Sequence, residues 1–163
     1  MNKKVVQMIL LLCSASMATA QTGEVVKHIQ TEKAAIASGV WVGNTYYLSG
    51  TMPSPVTPAD LAKGTPAAYG DTKAQTFSAL TKIQASLKEQ GLTMGDVVLM
   101  HVFMAGDPAN GGKLDFAGMM ASYTQFFGTK EQPNKPARSA MQVAALVAPG
   151  ALVEIEVVAV KQR

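Results

Sequence analysis

Between Val25 and Val160 the hydrophobic positions switch between a period of two and a period near 3.6, and the switches predict the elements. Val25 to Gln30 reads as a short strand. Val40–Val42, the Gly43-Asn44 pair and Thr45–Ser49 read as a hairpin with a two-residue turn. Pro53, Pro55, Pro58, Gly64, Pro66 and Gly70 then mark a loop from about 52 to 70. Asp71 or Thr72 can cap a helix whose stripe is Ala74, Phe77, Leu80, Ile83, Gln84 and Leu87, and Gly91 stops it. Val97 to Met104 is apolar apart from His101 and suits a strand buried on much of both faces. After the GDPANGG turn, Asp115 can cap a second helix with the stripe Phe116, Met119, Met120, Tyr123 and Phe127. Ser139–Val147 and Ala151–Val160 read as two strands around Pro149-Gly150.

This order of elements predicts a single α/β (α+β) domain, an approximately six-stranded mixed sheet with both helices on one face. The other face would stay apolar on an isolated chain, so the pattern also predicts a homo-oligomer. A chain of 163 residues is long enough for one core and too short for two of any size.

The first twenty residues stand outside this pattern. Lys3 and Lys4 precede an apolar run, Val5 to Cys13, interrupted only by Gln7. Ala18-Thr19-Ala20 then supplies small residues before Gln21, which is the layout of a cleaved secretory signal peptide. The run is about half the ~20 residues needed to span a bilayer, so no stable membrane anchor is expected. The expectation is a leader over 1–20, a domain over 21–163 and export, with the periplasm as destination. Removing the leader removes Cys13, the only cysteine, and with it any disulfide or thiol nucleophile. The formal charge falls from +3 to about +1, which does not suit nucleic-acid binding.

Few residues remain that could carry chemistry. His28 and His101 are isolated and form no zinc spacing, so no metal is expected. Neither a phosphate-binding glycine motif nor a nucleophile elbow is present, and no cofactor is expected. After the leader the chain uses ten lysines but only two arginines, Arg138 and the terminal Arg163. Arg138 precedes an apolar strand. A guanidinium can grip a carboxylate through two parallel hydrogen bonds where an ammonium cannot, although a structural ion pair would also account for it. In the last strand Glu154 and Glu156 share one face, opposite Val153, Ile155 and Val157. Carboxylates in so apolar a strand call for a cleft, a partner or solvent.

The segment PARSAMQVAALVAPGALVEIEVVAV resembles the C-terminal signature of the RidA/YjgF family of enamine/imine deaminases. Supporting matches run in order from Gly43-Asn44 and Leu48-Ser49-Gly50, through Gly91-Leu92 and Gly95-Asp96-Val97-Val98, to Asp115-Phe116-Ala117, Tyr123 and Phe126-Phe127. The resemblance implies a chorismate-mutase-like fold, a homotrimer whose sheets form a central barrel, and ligand clefts between subunits. It implies that Arg138 binds the substrate carboxylate and that Glu154 orients the attacking water, with Glu156 as the less favoured substitute. It places Ser49, Gly50 and Tyr123 around the substrate. Two pocket positions depart from the family pattern: Met120 stands where the family has asparagine, and Ala140 where it has cysteine. The family's N-terminal Gly-Pro-Tyr is absent, and the loop from 54 to 70 is longer.

The resemblance implies hydrolytic deamination of small 2-imino or enamine acids to 2-keto acids and ammonia. The alternative is a non-catalytic binder of small carboxylate metabolites in the same cleft. A ribonuclease is a distant third, because a near-neutral charge gives little purchase on RNA.

Overall fold

The computed structural model describes residues 25–162, so the proposed leader lies outside the described residues. Strands β1 (Val26–Ile29), β2 (Gly39–Val42) and β3 (Thr45–Thr51) form a meander. Helix α1 (Thr72–Glu89), strand β4 (Val97–Met104), helix α2 (Phe116–Tyr123) and strands β5 (Ala137–Gln142) and β6 (Val153–Val160) follow. The six strands form one sheet in the order β1-β2-β3-β6-β4-β5, antiparallel except for the parallel β4–β5 pair.

The predicted alternation in β6 is present. Val153, Ile155, Val157 and Ala159 are buried under the helices, whereas Glu154, Glu156, Val158 and Val160 are half-buried on the opposite face. Strand β4 follows the same rule, and this corrects the expectation of burial on both faces. Val97, Met100, Val102 and Met104 are buried, while Val98 is exposed and Leu99, His101 and Phe103 are half-covered. The uncovered side of the sheet therefore presents Tyr47, Val98 and Met141 to solvent on a single chain.

Asp71 caps α1 by accepting from the Ala74 amide at 2.8 Å, and the helix gives way at Gly91, whose φ of 70° suits a residue without Cβ. Its inward face differs from the expected stripe. Leu80, Ile83 and Leu87 are fully buried as expected, each burial stabilising by roughly 1.5–3 kcal/mol, but Ala74 and Gln84 face outward. Phe77 is 46% exposed and meets Phe126 in a tilted ring contact at 5.4 Å. Gln75 and Thr76 take the vacated inner positions because they find hydrogen bonds there. Gln75 donates to the Gly70 and Gly150 carbonyls at 3.0 and 3.1 Å and accepts from the Leu152 amide at 2.7 Å. One buried amide thus ties the end of the 52–70 loop to the entry of β6.

The C-terminal strands also differ from the reading around Pro149-Gly150. Strand β5 ends at Gln142, and the following connection carries the chain past β4, so that β6 pairs with β3 and β4 while β5 holds the sheet edge. Burial explains the outcome. Strand β6 supplies an unbroken inner row of apolar residues fit for the centre of the sheet, whereas Arg138, Ser139 and Gln142 suit an edge.

Candidate functional site

The residues singled out from sequence fall into two groups on the single chain. The first forms around Arg138 on edge strand β5. Arg138 pairs in register with the buried Met100, which aims its side chain toward the helix layer. There α2 presents Phe116, Met119, Met120 and Tyr123, spaced three and four apart on one helical face. The guanidinium carbon lies 4.3 Å from the Tyr123 ring centroid and 5.7 Å from that of Phe116. Nη1 lies 3.2 Å from the Met120 sulfur and 3.8 Å from that of Met119. Cation–π contacts of this kind are worth about 0.5–2 kcal/mol each. Among the described residues no carboxylate pairs with Arg138; Asp60 is paired with Lys63, and Glu156 is hydrogen-bonded to His101. The cation is therefore packed and oriented while its charge remains free for an anion.

Tyr123 is the floor of this group. It stacks on Phe127 at 5.0 Å; burial pushes its phenol above the ordinary value, and the Arg138 charge offsets part of that rise. Ala140, two residues on from Arg138, points to the same side and packs against the core.

The second group forms where β3 meets β6. The register slips between Leu48 and Thr51, so two β3 residues lie opposite one of β6. That bulge carries Ser49 and Gly50. The Ser49 hydroxyl donates to the Ala37 carbonyl at 2.7 Å. A Cβ on Gly50 would fall on the Glu154 carboxylate, so glycine here is what gives that carboxylate its place. Glu156 is occupied: its Oε1 lies 2.7 Å from Nδ1 of His101, its neighbour on β4. Glu154 has no such partner among the described residues. Beside the bulge opens a cleft of about 440 Å³, lined by Ser49, Gly50, Thr51, Lys82 and Ser86 among others.

The two groups do not meet within one chain. Strands β3 and β5 are three positions apart in the sheet, roughly 14 Å at ordinary strand spacing. Moreover, Arg138 lies on the helix side and Glu154 on the open side. Sequence reasoning did not single out Met119 or Lys82 as site residues. The spacing of Met119 from Phe116 and Tyr123 was available as a signal; the position of Lys82, which donates to the Met52 carbonyl at 2.8 Å, had none.

Residues 28–161 match the family model described as Endoribonuclease L-PSP. The chain belongs to the RidA/YjgF family. A RutC family protein of Haemophilus influenzae is 37% identical over 139 residues, covering 82% of this chain and 96% of that protein. The 2-iminobutanoate/2-iminopropanoate deaminase of Salmonella typhimurium is 34% identical over 136 residues, covering 83% and 98%. Among solved structures, Escherichia coli TdcF with bound serine superposes with a TM-score of 0.62 at 30% identity, covering 83% of this chain and 99% of that one. A YjgF family member from Mycobacterium tuberculosis gives 0.60 at 26% identity, covering 84% and 100%. The six-stranded sheet with two helices on one side is thus the RidA/YjgF fold. Among the described residues no group of three or more His, Cys, Asp or Glu could hold a metal ion.

Proposed function

We propose that this RidA/YjgF protein hydrolyses small 2-imino acids to 2-keto acids and ammonia, in clefts built between subunits of a homotrimer. The observation that carries the reading is Arg138: a guanidinium fixed by thioethers and aromatic faces, with no carboxylate of its own among the described residues. Such a group suits the carboxylate of a small substrate. Relatives named as 2-iminobutanoate/2-iminopropanoate deaminases, at 34% identity, support the same chemistry. The opposite facings of Arg138 and Glu154 favour a site assembled from two chains, and the apolar open face of the sheet favours burial against other copies.

In this mechanism the substrate carboxylate pairs with Arg138 of one subunit, which sets the C=N carbon beside Glu154 of the next. Glu154 accepts a hydrogen bond from a water molecule. The water oxygen bonds to the imine carbon, its proton passes to Glu154, and the C=N π electrons move to nitrogen. The tetrahedral aminoalcohol then collapses. The proton held by Glu154 and then the hydroxyl proton, relayed by the same carboxylate, both end on nitrogen; the C–N bond breaks, the carbonyl forms, and nitrogen leaves as ammonia. Acid–base assistance of this type is worth about 10²–10⁴ in rate, and fixing water against the imine supplies more. Glu154 is favoured over Glu156 because His101 already engages Glu156.

Ammonia release from enzymatically generated 2-iminobutanoate tests the reading. The intact protein should accelerate it, Arg138→Ala should lose substrate binding, and Glu154→Gln should lose turnover while retaining 2-keto acid affinity. Binding of 2-keto acids without ammonia release would instead favour the carboxylate binder. Export to the periplasm with cleavage after Ala20 belongs to the same proposal, and N-terminal sequencing that began at Met1 would refute it.

A further inference from the structure

The thioether sulfurs beside Arg138 have a consequence beyond hydrolysis. Nη1 of Arg138 lies 3.2 Å from Sδ of Met120, a weak acceptor for so strong a donor. Met119, the other thioether beside it, is 1% exposed, whereas Met120 is half-buried, packed against the core with part of its side chain open to solvent. The geometry points to Met120 as an oxidation switch: its sulfoxide would bind the Arg138 guanidinium and close the site to carboxylates.

The chemistry balances with a peroxide as the oxidant. One sulfur lone pair accepts from Arg138, and the second remains to attack a peroxide oxygen. The S–O bond forms, the O–O bond breaks, and the departing hydroxide takes the proton from the oxygen now on sulfur and leaves as water. The thioether loses two electrons and the peroxide gains them. The product replaces a weak acceptor with a strongly polar S=O oxygen on a flexible side chain that can rotate to turn that oxygen toward the guanidinium. Its hydrogen bond to Arg138 is charge-assisted. A carboxylate ligand must then displace that oxygen, and its affinity falls by roughly tenfold, the equivalent of about 1.4 kcal/mol. Met141 serves as an internal comparison, since it lies on the opposite side of β5 and an oxygen there would not reach Arg138. The effect on ligand affinity rests on Arg138 being the carboxylate group of the proposed function; formation of the sulfoxide–guanidinium bond does not.

The test treats the full-length folded protein and its Met120→Leu variant with hydrogen peroxide and maps oxidation by peptide mass. Two readouts follow. The first is the rate at which phenylglyoxal modifies Arg138, which needs no ligand. The second is affinity for 2-oxobutanoate before and after oxidation, each protein compared with itself. The expected result is oxygen on Met120 but not Met119, slower phenylglyoxal modification of Arg138, and a roughly tenfold loss of affinity. Methionine sulfoxide reductases should reverse both changes, and Met120→Leu should show neither. If 2-oxobutanoate fails to bind even the reduced protein, the functional reading fails and the phenylglyoxal readout still decides the switch. Unchanged modification of Arg138 after Met120 is oxidised would overturn it, as would an equal response in Met120→Leu.

Discussion

At the scale of single residues, the carboxylate-binding role proposed for Arg138 rests on shape rather than on charge. A planar guanidinium can lie over Tyr123 and still direct two parallel N–H groups at a carboxylate; an ammonium can do only one of these. Arg138→Lys is therefore expected to lose nearly as much 2-keto acid affinity as Arg138→Ala, roughly 1.5–3 kcal/mol for each charge-assisted hydrogen bond lost. Calorimetric titration of both variants checks this, and full affinity in the lysine variant would show that charge alone suffices. The phenols provide a second expectation. Burial raises Tyr123 and Tyr46 above their ordinary value, Glu89 adding to the rise at Tyr46. The folded state then holds these protons more tightly than the unfolded chain, whose phenols titrate near pH 10. Their contribution to stability is complete below about pH 10 and is lost as pH rises through the higher folded values. Denaturation midpoints measured from pH 8 to 11.5 should decline more steeply for the natural protein than for Tyr123→Phe, to a degree set by Tyr123 alone. Equal slopes would contradict a raised Tyr123.

At the scale of elements, the site depends on one irregularity. The bulge in β3 places Gly50 under the Glu154 carboxylate. Gly50→Ala should displace that carboxylate, so turnover should fall by an order of magnitude or more while the sheet and Arg138 stay in place. Retained turnover, with circular dichroism confirming the fold, would remove Glu154 from its assigned role. Much of this scale was legible in advance. The alternation of β6 was plain because its inner positions are uniformly apolar, and α2 was legible because its stripe and its Asp115 cap coincide. The inner face of α1 was not, because Gln75 finds partners at Gly150 and Leu152, far away in the chain, while Thr76 turns its hydroxyl back onto the Thr72 carbonyl, and period alone assigns polar residues to solvent. The place of β6 between β3 and β4 was hidden for a similar reason. Pro149-Gly150 looks like a local turn, while the pairing is settled by which strand can be covered on its inner side.

At the scale of the whole molecule, Arg138 and Glu154 were both legible as chemistry-bearing residues, but their separation was not. Their facings depend on register, and register is fixed only when the sheet is assembled: Arg138 pairs with buried Met100, Glu154 with half-covered Phe103. The central claim is that each catalytic cleft joins Arg138 of one chain to Glu154 of another. It is tested most directly by mixing two inactive variants, Arg138→Ala and Glu154→Gln, through co-refolding of equal amounts. Ammonia release from 2-iminobutanoate is then assayed. If the cleft is shared, random mixing in a trimer leaves about one site in four with both natural residues, and activity should return to about a quarter of that of the natural protein. A mixture that forms trimers yet remains as inactive as its components would contradict the shared site.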